Sequence, residues 1–472
     1  MRRAAIIFLI AIGAIRIAAT YTTFSETADE PMHLSAGLEI LTHHTYSIQL
    51  QNPPLPRVLI ALPPWLSGAR YQEPPDKFHA NGHYKTMLVL ARAPTLIFFI
   101  IGALATWAWA RRETDETTAL VALFFFTTQP SILGHSGLAT LDTAGTAGLA
   151  VSLLAFSRWL EKPDLKRAAI LGIAWGFAIS CKLLCIAYVP LACAAIFIVR
   201  RQWRKVATVL IVPPIAALIV WAGYGFHADP FLRGVAEMME VNRAGFMSYA
   251  MRRWSTEGWW WYFPLALALK TTIASLVIVL AGFTFKNRRF LEAFAAAIAI
   301  LAFSMTTHVN IGVRYILPIY VPLSLAAAIA ITRFAASRKL RVASFVLVAW
   351  HLIASVAAHP DYLAYFNEFG GRDPSRYLLD SNLDWGQDVL RLRDEVRRLE
   401  IPQLGLAVFG PADPAQMGFP PHYNAHPWAP PHGWIAVSDH AYRIGAWTGG
   451  WSWLKRDRCR RIGKSIRLCH FD

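Results

Sequence analysis

Charge is what this chain has least of. Only 16% of its 472 residues are Asp, Glu, Lys or Arg, against about 25% in a soluble protein. Hydrophobic residues make up 55% and fall in blocks, the pattern of a polytopic membrane protein. Cysteine is scarce as well, with five in all. Cys181, Cys185 and Cys193 lie in apolar runs and read as core fillers. Cys459 and Cys469 lie in the polar tail, and an extracytoplasmic tail would allow them to bond or to stay apart, since proximity is not legible in sequence. No small-residue cleavage site follows Met1-Arg2-Arg3, and Arg16 interrupts the apolar run, so the expectation is an uncleaved first span. Internal repeats and low-complexity segments are absent. The net charge of +16 sits in short clusters between apolar blocks, which suits orientation signals and not nucleic-acid binding.

About eleven segments have the length of a helical span: 4–20, 87–110, 117–133, 139–160, 167–181, 183–199, 206–222, 263–284, 290–307, 316–333 and 342–358. Cations cluster at 2–3, 111–112, 158–167, 200–205, 286–289 and 333–341. Two apolar runs separate each successive pair, so every cluster can be cytoplasmic. The N-terminus is then inside. Residues 21–86, 134–138, Lys182, 223–262, 308–315 and everything after about 359 lie outside, which in a bacterium is the periplasmic side of the inner membrane.

The outer loop 21–86 is too apolar to be a simple linker. Leu34, Leu38 and Leu41 recur at helical spacing, with Asp29 suited to the cap and Pro31 to the first turn. A second short apolar stretch at 58–62 follows Asn52-Pro53-Pro54-Leu55-Pro56-Arg57. Both read as helices lying on the membrane surface. The aromatic run Gly258-Trp259-Trp260-Trp261-Tyr262-Phe263 reads first as an interface belt. Residues 359–472 carry more charge, glycine and proline and contain no span. An amphipathic helix is expected over 388–400 and buried strands over 404–409 and 434–438. Together they predict a small α/β domain, leaving 1–358 as the membrane domain.

Polar side chains at membrane edges are costly and tend to be functional. Asp29 and Glu30 are adjacent carboxylates at the outer end of the first span, and His33 lies one turn on from Asp29. A helix cap, a general base and a weak metal pair are all compatible with them. Asp142, Lys182, Lys270 and Arg314 stand at outer ends of other segments, and Arg16 at that of the first. Acids and bases thus converge on one face from distant parts of the chain. Cations at headgroup level suit an anionic phosphate, and a carboxylate beside them suits activation of a hydroxyl.

These residues and several motifs resemble the GT-C glycosyltransferases, polytopic enzymes that take a sugar from a polyprenyl-phosphate carrier. The similarity is to the protein mannosyltransferase and aminoarabinose transferase branch. It rests on Asp29-Glu30, Asn52-Pro53-Pro54-Leu55, Thr140-Leu141-Asp142, Ser180-Cys181-Lys182 and Asn310-Ile311-Gly312-Val313-Arg314-Tyr315-Ile316-Leu317-Pro318. The tail motif Asp380-Ser381-Asn382-Leu383-Asp384-Trp385-Gly386-Gln387-Asp388 is similar to one in bacterial members. The resemblance implies an inverting transfer without a covalent sugar–enzyme intermediate. Asp29 would be the base, and Glu30 would support it or contact the acceptor. Asp142 would help position substrate or an optional divalent cation. Lys182 and Arg314 would hold the donor phosphate, with Lys85 and Lys270 as further candidates and His33 in the substrate site. The partners implied are a polyprenyl-phosphate sugar, a protein or lipid-linked glycan acceptor, and membrane lipids. The tail differs from the β-trefoil of the eukaryotic enzymes.

A transporter or flippase of lipid-linked saccharides is the alternative from another class. Such carriers place their site near the midplane, often between inverted repeats; here the odd charges gather at one face. A non-catalytic scaffold with a partner-binding tail would leave Asp29, Asp142 and Arg314 unexplained.

Overall fold

The computed structural model describes residues 2–71, 78, 83–201, 207–430, 432–455 and 459–471. Parts of the expected outer loop 21–86 and of the cation cluster 200–205 lie outside these residues. The apolar blocks form helices α1 (Arg2–Ala18), α2 (Glu30–His43), α3 (Pro54–Leu66), α4 (Tyr84–Arg92), α5 (Thr95–Glu113), α6 (Glu116–Thr128), α7 (Pro130–Ser136), α8 (Asp142–Glu161), α9 (Leu165–Cys181) and α10 (Cys185–Arg200). They continue as α11 (Val212–Gly223), α12 (Asp229–Ala244), α13 (Tyr262–Lys270), α14 (Ile273–Gly282), α15 (Arg288–Ser304), α16 (Tyr320–Ala336) and α17 (Arg341–Ala357). Among the described residues, two helices are long and apolar enough to cross a membrane, Tyr84–Glu113 and Val313–Ala336. Two bent pairs meet the same test when joined: α6 with α7 at 58°, and Tyr262–Lys270 with Ile273–Phe285 at 111°.

The expected eleven spans therefore resolve into shorter and more broken pieces. Proline explains the first bend, because Pro130 opens α7 and has no N–H to continue α6. At the second, Thr272 caps the new helix by accepting from Ser275 N. Small residues then let the pieces pack closely. A Cβ on Gly148 of α8 would lie 2.6 Å from the Ala178 Cα of α9, and that backbone approach ties the two helices together.

Two helices, α2 and α3, form where the first outer loop was expected to hold them. They pack face to face, with Gly37 directly against the Arg57 carbonyl, where a Cβ would come within 2.1 Å. The loop before α13 holds a short hairpin, β1 (Ser248–Ala250) with β2 (Arg253–Ser255).

The tail forms a mixed five-stranded sheet of β3 (Leu404–Ala407), β4 (His422–Asn424), β5 (Gly433–Ser438), β6 (Arg460–Ile462) and β7 (Ile466–Phe471). Their order is β4-β3-β5-β7-β6. β3 runs parallel to β4 and β5, whereas β7 is antiparallel to β5 and β6. Helix α18 (Val389–Arg398) buries Val389, Leu390, Leu392 and Val396 in a small core with Leu404, Leu406 and Leu468. Helix α19 (Asp439–Trp447) follows β5, capped by Ser438. Cys459 and Cys469 are bonded to each other. Residues between α17 and α18 are hydrogen-bonded both into the helical part, through Lys270, Val313 and Ile311, and into the sheet domain, through His440, Lys464 and Ser465.

One carboxyl in the tail is held against its ordinary chemistry. Asp384 is 1% exposed. It accepts from His440 N through Oδ2 at 2.7 Å, and Oδ1 has no partner. Burial pushes its pKa up to about 8, so the folded chain keeps a proton at neutral pH that an unfolded carboxyl has released. Stability from this group is full below about pH 4 and falls as pH rises towards 8. Asp384→Asn is expected to flatten the decline in melting temperature between pH 5 and 8, measured by thermal unfolding of the purified protein.

Candidate active site

Asp29 occupies the cap position of α2, but its side chain makes no cap hydrogen bond. Instead Arg314 Nη1 donates to Asp29 Oδ2 at 2.5 Å. The helix-cap reading of this carboxylate therefore does not hold, and it is left 32% exposed at the wall of a cavity of about 500 Å³. Asp142, Lys182, Arg314 and His33 line the same cavity. Three of the expected site residues, each from a different part of the chain, thus meet Asp29, together with His33 from its own helix.

Asp142 opens α8 and is buried. Lys182 Nζ donates to its Oδ1 at 2.5 Å, and Thr140 Oγ1 donates to its Oδ2 at 3.2 Å. Lys182 ends α9 in extended backbone, which turns its amine back toward the cavity and within 3.4 Å of the Arg314 carbonyl. Arg314 lies in the turn after Gly312 and is nearly buried, at 7% exposure. Its guanidinium lies over the Tyr315 ring at 5.3 Å and the Trp385 ring at 4.5 Å. Its Nε is buried and has no hydrogen-bond partner. An unused N–H on a fixed cation is suited to an anion with several oxygens.

His33 shares a helix face with Asp29, as their spacing predicts. Arg57 Nε donates to His33 Nδ1 at 3.3 Å. Burial and the neighbouring Arg57 charge lower the imidazole pKa to about 3, so His33 is neutral, with Nδ1 as acceptor and Nε2 as the N–H donor. Nδ1 is thereby taken, and Asp29 is held by Arg314. Among the described residues no group of three or more His, Cys, Asp and Glu converges as metal ligands.

Glu30 is placed differently from its neighbour. Its carboxylate has no exposure and faces Arg92, whose Nε and Nη2 each donate at 2.7 Å. Thr27 N and Ala139 N donate to it at 2.8 Å each. Glu30 does not line the cavity; it ties the Asp29 loop to α4 and to the turn before α8.

Lys270 is also turned away. Its ammonium donates to the Leu363 and Asn382 carbonyls at 2.7 and 2.6 Å and sits 4.5 Å from the Phe366 ring centre. These carbonyls satisfy its donors, so Lys270 is not among the residues that line the cavity where a phosphate contact was expected of it. Lys85 is exposed on the first turn of α4 and is likewise absent from the lining, because α4 presents Met87, Leu88 and Ala91 inward. Arg16 donates to Tyr362 Oη and the Ser355 carbonyl at 2.9 and 2.6 Å, bracing α1 against α17. Trp259 and Trp261 pack on the core, and Trp260 is exposed.

Arg92, Arg57, Tyr315 and Trp385 stand around the site without having been expected there. Arg92 had a visible signal, an arginine inside the run 87–110, where a charge demands a partner.

Comparison with known proteins follows the same lines. Residues 86–223 match the dolichyl-phosphate-mannose-protein mannosyltransferase family. The structure of ArnT from Cupriavidus metallidurans bound to undecaprenyl phosphate superposes with a TM-score of 0.55, at 14% identity over 98% of this chain and 97% of that one. The chain shares the fold of ArnT. ArnT in the apo state gives the same TM-score at 15% identity, again over 98% and 97% of the two chains. The Archaeoglobus fulgidus oligosaccharyltransferase in the apo form is similar at a TM-score of 0.43 and 15% identity, over 83% of this chain and 58% of that one. No curated protein matches by sequence.

Proposed function

We propose that this GT-C protein is an inverting glycosyltransferase that moves a sugar from a polyprenyl-phosphate carrier to a protein or glycolipid acceptor at the periplasmic face of a bacterial inner membrane. The observation that carries this is the meeting of an accessible carboxylate, Asp29, with two cations, Arg314 and Lys182, in one cavity. In this reading the carrier phosphate binds Arg314 and Lys182. The acceptor hydroxyl sits at Asp29 and attacks the anomeric carbon from the face opposite the phosphate. The new bond joins the anomeric carbon to the acceptor oxygen. The bond from that carbon to the phosphate oxygen breaks, its electron pair leaves with polyprenyl phosphate, and the hydroxyl proton passes to Asp29. One displacement inverts the centre. The cations neutralise the charge that develops on the leaving phosphate.

Other features are compatible. The disulfide in the tail fits an oxidising compartment. Helix α12 borders the cavity through Met238 and Met239, and through Phe231 and Leu232 it borders an apolar groove of about 630 Å³ on α9 and α11. An isoprenoid chain leaving the cavity past Met238 and Met239 would meet apolar surface again at Phe231 and Leu232.

The direct test is transfer by the purified protein from polyprenyl-phosphate sugars, paired with mass spectrometry of glycans and glycoproteins in cells lacking the gene. Loss of a defined glycan is expected; unchanged glycans together with no transfer in vitro would refute the proposal. Lys182→Gln and Arg314→Gln are each expected to raise the donor KM about ten- to a hundredfold, the scale of a hydrogen bond to a charged group. Unchanged donor kinetics in both would remove their phosphate role.

A further inference from the structure

The tail motif Asp380–Asp388 lines no part of the cavity, yet it runs directly behind both of its working ends. Towards Asp29, Ser25 N donates to the Gln387 carbonyl at 3.0 Å and Ala28 N to the Trp385 carbonyl at 3.1 Å. Ser25 Oγ donates to the Gly386 carbonyl at 2.7 Å and accepts from Val389 N at 3.0 Å. Towards Arg314, Val313 N donates to Asn382 Oδ1 at 3.0 Å, and Ser381 Oγ donates to the Ile311 carbonyl at 2.6 Å. Gly312 leaves no room for a side chain here: a Cβ would fall 1.9 Å from Ser381 Oγ.

Trp385 joins the two ends. Its carbonyl holds the residue before Asp29, and its ring lies 4.5 Å from the Arg314 guanidinium carbon. The residue is 1% exposed, and its own N–H donates to Gln387 Oε1 at 2.8 Å. A ring face attracts a guanidinium without using any of its N–H groups. The stacking therefore fixes the plane of Arg314 without occupying any of its N–H groups. An aliphatic side chain of similar bulk would fill the space but would not orient the plane.

We propose that Trp385 is a positioning residue, which sets the orientation of the Arg314 cation relative to Asp29 for binding of a polyprenyl-phosphate group. This rests on the transferase reading of the cavity. It also gives the tail a part in that site beyond closing it.

The experiment compares full-length wild type, Trp385→Phe and Trp385→Leu for binding of undecaprenyl phosphate, which requires neither sugar nor acceptor, and then for donor KM and kcat. Trp385→Leu is expected to weaken binding about tenfold, between the scales of an exposed and a desolvated cation–π contact, and to raise donor KM in proportion. Trp385→Phe, which restores a ring face, should bind within about threefold of wild type on the same scale. If Trp385→Leu does not fold, Trp385→Met makes the same comparison. Wild-type affinity in the aliphatic variant, or equal weakening in Phe and Leu, would overturn the positioning role. Wild type that fails to bind undecaprenyl phosphate at all would instead refute the phosphate reading of the cavity, and the inference with it.

Discussion

Asp29→Asn is expected to cut transfer by a factor of about 10² to 10⁴, the range for loss of a general base, while the protein folds as before. Asparagine preserves the size of the side chain and an oxygen for Arg314. No helix cap is lost, because the Asp29 side chain makes none. The proton acceptor is removed, and with it the negative charge beside Arg314. The kinetic signature should separate this from a binding defect. Arg314 bonds Asp29 at 2.5 Å, so removing that negative charge leaves the cation at least as free for phosphate. The loss should therefore fall on kcat, with donor KM unchanged or lowered. Wild-type turnover in the variant would sink the base assignment; a rise in donor KM at unchanged kcat would make Asp29 a binding residue.

Glu30→Ala, one position away, is expected to act on stability. Glu30 and Arg92 are both fully buried and bonded through two nitrogens. Removing one partner strands the other charge away from water, at a cost of about 3–5 kcal/mol. That is a large share of an ordinary folding free energy, about 5–15 kcal/mol. Thermal or chemical unfolding in detergent should show the drop, and Arg92→Met should show a similar one. Activity per folded molecule should survive far better than in Asp29→Asn. A Glu30→Ala protein as stable as wild type but inactive would show that Glu30, too, takes part in the chemistry.

Why these neighbours differ was not visible in their letters. Asp29 and His33 could be read from helical spacing, and both line the cavity. Asp142, Lys182 and Arg314 stood out as charges at segment ends, and they converge there. Lys270 carried the same signal and goes elsewhere, because its partners are the backbone carbonyls of Leu363 and Asn382, and a carbonyl has no side-chain signature. Lys85 failed for a related reason: which face of α4 turns inward depends on packing against α3. The apolar blocks and the tail strands β3 and β5 were legible from periodicity, whereas β4, β6 and β7 were not. The break at Gln129–Pro130 was not, since a proline in an apolar run marks a kink without giving its angle, nor was the break near Thr272, where no proline marks it and a threonine cap starts the new helix.

Ser25 and Gly386 are bonded across 361 positions of the chain. Biosynthesis makes one long before the other. A nascent protein whose helices are all in the membrane still lacks the backing of its base loop until the segment after α17 has been delivered to the same side. On the proposed reading, an unfinished chain would hold neither Asp29 nor Arg314 in place, so truncated products would be silent toward the carrier lipid instead of consuming it.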